Sequence, residues 1–193
     1  MDDAPRAPLY SDVVRILVAG FEPWGSHRRN PSGEVARAMG GHVLPVRYDR
    51  AERAFLGILR RTRPAAVVLL GLAEGRKRIS LEAVALNVDH CENGAWRRWR
   101  RPIARGPFVL SARLPLDRLH RRLRAAGIPV SISYHAGTFS CNHVFYLALS
   151  RTKVPCGFVH LPPERAMGLK TQRRAVELIL QELRKQLSSR PRR

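Results

Sequence analysis

Cys141 is the residue of this chain best placed for covalent chemistry. It lies in SISYHAGTFSCNHVFYLAL, residues 131–149. There a β-rich run passes through a turn at Gly137-Thr138 into a helical pattern, which puts the thiol in the first helical turn. Unpaired backbone N–H groups and the helix dipole favour a thiolate at that position. The thiolate is the nucleophilic form, and the same N–H groups could receive an oxyanion. Spacing alone equally allows a buried structural cysteine at a helix start. A base is available in CGFVHLP, residues 156–162. His160 ends a short strand there and could take the thiol proton, then return it to a leaving amine. It could also be an ordinary core or surface histidine. His143 is nearer in sequence, but two residues along a helix it points away from Cys141.

A third group must orient the imidazole. Glu82, in ISLEAVALNVD, shares a strand face with Ser80, Val84, Leu86 and Val88. A carboxylate among apolar neighbours is costly to bury unless it is paired. Pairing with an imidazole N–H would meet that need and set the tautomer. An exposed strand-edge glutamate is the other reading. Cys141, His143, Cys156 and His160 could together offer zinc ligands, but their spacing matches no common zinc pattern, so no metal is expected. Of the three cysteines, Cys91 completes an odd set without a C-x-x-C pair, which argues against a disulfide framework.

The elements that must position these groups follow from periodicity. Val14–Ala19, His42–Val46, Ala66–Leu70, Ile79–Val88, Pro129–Ser133 and Gly157–His160 read as strands. Glu34–Met39, Asp49–Arg61, Leu116–Ala126, Cys141–Leu149 and Leu169–Leu187 read as helices, and residues 89–107 as a loop. Strands alternating with helices imply an α/β sandwich with helices on both sheet faces and functional groups at strand ends. Residues 1–12 read as a leader, 13–188 as one domain and 189–193 as a basic tail. No GxGxxG or GxxxxGK[ST] motif is present, so no nucleotide cofactor is expected.

Composition sets the outer bounds. With 193 residues and 45% hydrophobic content, the chain can bury one substantial core. It has no long apolar span and no secretion signal, so a soluble cytoplasmic protein is expected. Thirty-five Lys and Arg against fifteen Asp and Glu give a formal charge of +20. The basic residues cluster at Arg60-Arg61, Arg97–Arg101, Arg121-Arg122-Arg124 and Arg190–Arg193. Trp96 and Trp99 stand within the second cluster's reach and could stack on bases, so nucleic-acid binding is one reading. A solvated basic face is the plainer one.

The chemistry-bearing segments resemble a known family. AGTFSCNHVFY (136–146) looks like the active-site motif of the pyroglutamyl peptidase I, or pyrrolidone-carboxylate peptidase, family. AGFEPWG with NPS (19–25, 30–32), GLAEGR with ISLEAVALNVD (71–89) and GFVHLP (157–162) are similar to its other motifs, in the same order. The resemblance implies a cysteine peptidase that removes N-terminal pyroglutamate from peptides. It implies Cys141 as nucleophile, His160 as base and acid, and Glu82 as third member. It implies a pocket with Phe21, Trp24, Phe139 and Leu72, a three-layer α/β/α sandwich with a mixed sheet of the phosphorylase/hydrolase-like kind, no cofactor or metal, and a homo-oligomer, tetramer or dimer. The sequence departs from the family pattern at Leu72 (usually Gln), Glu74 (usually Gly) and Trp24 (usually Phe). The stretches after Asp89 and after Pro162 are shortened, and no Arg aligns in the first.

Overall fold

Apolar runs of β-branched and leucine residues build the centre of a sheet, as expected for strands covered on both faces. In the computed structural model, which describes residues 14–25, 27–89 and 102–189, the elements follow in order. They are β1 (Ile16–Phe21), α1 (Pro31–Ala38), β2 (His42–Leu44), α2 (Tyr48–Thr62), β3 (Ala66–Leu72), β4 (Ile79–Glu82), β5 (Val84–Leu86), β6 (Val109–Ser111), α3 (Leu116–Ala125), β7 (Val130–Ser133), α4 (Ser140–Arg151), β8 (Cys156–Leu161) and α5 (Leu169–Ser188). Six strands form one sheet in the order β2-β1-β3-β8-β4-β7, and β5 pairs with β6 in a separate ribbon. All pairings in the large sheet are parallel except β4–β8, so the sheet is mixed.

Alternation along the strands sends side chains to two cores. Val18, Val68, Leu70, Leu81 and Val159 pack with residues of α1, α3 and α5. Leu17, Leu69 and Phe158 pack on the other face with residues of α2 and α4. The result is the expected three-layer α/β/α sandwich. Nearly all predicted elements occur, with ends shifted by a few residues. Helix α1 starts at Pro31 because the Asn30 side chain accepts from the Ser32 N–H and caps it.

One element differs from expectation. Ile79–Val88 is not a single strand. It breaks at Ala83, whose N–H donates to Ser133 O while its carbonyl accepts from Ala112 N–H. Glu82 therefore shares its strand face with Ser80 alone, and Val84 and Leu86 belong to the ribbon. Strand β6, which lies between the predicted loop and the predicted Leu116 helix where no element is expected, supplies the ribbon's second strand. The predicted leader over 1–12, the Arg97–Arg101 cluster with Trp96 and Trp99, Cys91, and Arg190–Arg193 lie outside the described residues. No described helix is long and apolar enough to cross a membrane.

Candidate active site

The antiparallel β4–β8 junction assembles the polar centre. Ser80 is the register partner of His160, and Glu82 of Phe158, so Glu82 and His160 are diagonal neighbours on one face. A glutamate is long enough to span that diagonal. Its Oε1 lies 2.7 Å from His160 Nδ1, with both residues buried. This bond assigns Nδ1 as the protonated nitrogen and leaves Nε2 free as a base. The Arg76 guanidinium also reaches Glu82 Oε1, at 2.5 Å, and its other arm donates to His135 O at 2.9 Å.

Cys141 comes from the other direction, on the first turn of α4. Gly71 of β3 is the register partner of His160 across one strand spacing. A Cβ on Gly71 would stand 2.8 Å from Cys141 Sγ and 2.7 Å from Phe158 Cζ. The thiol thus lies on the strand position next to the imidazole, where a side chain on residue 71 would displace it. The structure brings Cys141, His160 and Glu82 together. Asn142 fixes the helix that carries the thiol: its side chain bonds Leu86 N–H, Leu86 O and Val88 O, tying α4 to β5. The first N–H groups of α4 have no side-chain cap and sit beside the thiol.

The electrostatics at Cys141 set burial against the helix start. Burial pushes its thiol up to about 12, and the Glu82 charge adds to the rise; its own backbone N–H and Arg76 oppose it. The residue keeps partial exposure toward the cavity, so solvent there offsets some of that burial. Burial likewise lowers the His160 pKa, against the hydrogen bond and charge of Glu82. Burial opposes the Glu82 charge. The His160 hydrogen bond and charge, the Ser133 hydroxyl and Arg76 outweigh it and hold the carboxyl below its ordinary range. Burial thus favours the neutral forms of the thiol and the imidazole, while its partners favour Glu82 as the carboxylate.

A cavity of about 950 Å³ opens over these groups. Phe21, Trp24, Leu72 and Phe139 line it together with Cys141, His160, Arg76 and His135. All four predicted pocket residues line the same cavity as Cys141 and His160. Trp24 stacks on His27, with ring centroids 4.2 Å apart. His27 Nδ1 lies 3.5 Å from Glu74, which bonds Arg165 at 2.6 Å through its other oxygen. Glu74 departs from the family pattern and Arg165 lies in the shortened stretch after Pro162. The two departures are partners in one ion pair.

Other candidates lie elsewhere. His143 faces away from the thiol, with Nδ1 2.9 Å from Asp89 and its ring edge-on to Tyr48. Cys156 is buried at the far end of β8 from His160. Among the described residues no group of three or more His, Cys, Asp or Glu could hold a metal ion. The residue reading assigned no role to Arg76, Gly71 or Asn142. Arg76 and Asn142 carried one signal, polar side chains inside otherwise apolar or glycine-rich motifs.

Comparison with known proteins agrees with this geometry. The sequence profile described as pyroglutamyl peptidase matches residues 14–183. A pyrrolidone-carboxylate peptidase of Gloeobacter violaceus is 39% identical, over 89% of this chain and 97% of its own length. One from Cupriavidus taiwanensis is 39% identical over 78% and 80%. The solved pyrrolidone carboxyl peptidase from Thermococcus litoralis superposes with a TM-score of 0.82 at 29% identity, over 88% of this chain and 92% of that one. That from Thermus thermophilus gives 0.76 at 39% identity, over 86% and 98%. With a profile matched across most of its length and relatives at this identity, the chain belongs to the pyroglutamyl peptidase family.

Proposed function

We propose that this chain is a cysteine exopeptidase that removes an N-terminal pyroglutamyl residue from peptides, with Cys141, His160 and Glu82 as its catalytic residues. The observation that carries the assignment is the 2.7 Å Glu82–His160 bond one strand away from Cys141 Sγ, under an apolar cavity. His160 Nε2 takes the Sγ proton as sulfur attacks the pyroglutamyl carbonyl, so no free thiolate need accumulate. The first N–H groups of α4 receive the developing oxyanion. Collapse of the tetrahedral intermediate breaks the peptide bond, and the imidazolium gives its proton to the leaving amine. Water, deprotonated by the same imidazole, then hydrolyses the thioester and releases pyroglutamate. Glu82 stabilises the imidazolium in both halves, and Arg76 holds Glu82 in place.

The pyroglutamyl ring is a small uncharged lactam. In this reading Phe21, Trp24, Phe139 and Leu72 are its apolar walls. Because Leu72 offers no hydrogen bond, backbone groups must satisfy the lactam N–H and C=O. A second substrate reading rests on that same leucine and on the reshaped rim: another N-blocked or lactam end group with the catalytic trio kept. The alternative of a non-catalytic basic protein that binds nucleic acid rests on charge and on Trp96 and Trp99, which lie outside the described residues.

Residues 13–188 form the catalytic domain in this proposal, between a leader (1–12) and a basic tail (189–193), in a cytoplasmic protein. Exposed Phe108 and Val109 beside and on β6 support a homo-oligomer, tetramer or dimer, which sedimentation would test.

The deciding experiment is hydrolysis of a pyroglutamyl fluorogenic amide by wild type and Cys141→Ala. Release by the wild type, with a loss of at least ~10⁴-fold in the variant, is expected. No release from folded, reduced wild type would sink the pyroglutamyl assignment.

A further inference from the structure

Arg76 lines two cavities. One is the cavity over Cys141 and His160. The other, of about 370 Å³, is lined by Arg76, Lys77, Arg78, Ser80, Ser131 and Ser133, with Ile132. Ser131 is the β4–β7 register partner of Ser80, and Ser133 of Glu82, so the three serines share a sheet face with the catalytic carboxylate. Lys77 and Arg78 are exposed, and among the described residues no carboxylate stands within ion-pair distance of either. The Arg76 guanidinium is already held by Glu82 and His135 O, which fixes the wall between the two cavities.

On the pyroglutamyl reading above, the direction of the bound peptide follows. The lactam occupies the apolar end at Phe21, Trp24, Leu72 and Phe139. The leaving amine must stand beside His160 to receive its proton. The chain beyond that amine then leaves past His160, whose register partner Ser80 lines the serine-rich cleft on the other side of Arg76. The Ser133 hydroxyl is already engaged with Glu82, so the half-buried Ser131 hydroxyl and the unpaired Lys77 and Arg78 cations are the donors left to recognise a carboxylate.

We infer that this cleft binds a carboxylate on the leaving peptide, so the enzyme prefers acidic leaving groups. This inference rests on the pyroglutamyl reading. The carboxylate has two sources, an Asp or Glu side chain soon after the pyroglutamyl residue or the free C-terminus of a short peptide.

The test compares kcat/KM for four peptides: pGlu-Ala-Ala-amide, pGlu-Glu-Ala-amide, pGlu-Lys-Ala-amide and pGlu-Ala-Ala with a free C-terminus. The glutamyl peptide and the free acid separate the two sources. At low ionic strength at least one of them is expected to exceed the neutral amide by about fivefold, with the lysyl peptide below it. The ratio should collapse toward one in high salt. It should also collapse in Lys77→Gln/Arg78→Gln, while persisting in Arg60→Glu/Arg61→Glu, which lowers the net charge more but at the far end of α2. Circular dichroism of each variant confirms folding. Equal hydrolysis of all four peptides by wild type would overturn the inference and leave the pyroglutamyl reading standing. So would a preference that survives in the Lys77/Arg78 variant or disappears in the Arg60/Arg61 one. No hydrolysis of any peptide would overturn both.

Discussion

Glu82 reaches His160 along a diagonal of the β4–β8 pair. Glu82→Asp withdraws the carboxylate by one methylene, about 1.5 Å. The expected result is a fall in kcat of roughly 10–100-fold with little change in KM, read by steady-state kinetics. The pH behaviour follows from the same pair. The folded pKa of His160 is depressed by burial, so in mild acid the unfolded chain binds a proton that the folded chain refuses. Stability from this group is complete above its ordinary value of about 6.5 and is lost as pH falls toward the lower folded value. Glu82, also depressed, acts in the same sense at lower pH. The acid limb of kcat/KM should accordingly lie below pH ~6.5. With the thiol pushed up, alkylation of Cys141 by iodoacetamide should keep climbing through the alkaline range. A plateau near neutrality would instead establish a thiolate–imidazolium pair. Cys141, His160 and Glu82 were legible because each sits in a motif with a chemical reason for its residue type. Arg76 was not, because only the folded chain brings its guanidinium back along β4 to residue 82.

At the scale of elements, β3 must pass beneath α4 with no side chain at residue 71. Gly71→Ala would drive a methyl group into Cys141 Sγ and Phe158, neither of which is free to retreat into the packed layer. The expected cost is about 1–3 kcal/mol in denaturant unfolding, with activity down by ~10-fold or more as the thiol is displaced. Unchanged activity in that variant would show that Cys141 does not react from this position. Most strands and helices could be read from apolar periodicity, since the central strands are continuous β-branched or leucine runs. The break at Ala83 could not. Alternation continues across it, and what ends β4 is a hydrogen bond from the Ala83 N–H to Ser133. Strand β6 escaped for a related reason: three residues carry too little pattern, and their strand state comes from pairing with β5.

The whole molecule carries a formal charge of +20, with basic residues distributed over α2, α3 and α5. Self-repulsion among exposed cations destabilises the compact state and is screened by salt. The melting temperature should therefore rise when sodium chloride is raised from low to moderate concentration, by calorimetry or circular dichroism; a fall would show that the exposed ion pairs outweigh the repulsion. The same charge by itself assigns no function, since it suits nucleic acid as well as solvent. Ordered motifs spanning the chain, and not its bulk charge, point to the family.

The antiparallel β4–β8 junction also has a kinetic meaning. Its two partners lie 78 positions apart in the chain, and closing so distant a contact is slow compared with forming helices. During synthesis Cys141 leaves the ribosome before His160, and the two come together only once β8 has inserted between β3 and β4. Activity regained on refolding should thus lag behind the recovery of helical circular dichroism. A newly made chain would remain proteolytically silent until the sheet is complete, a delay set by topology and needing no inhibitory segment.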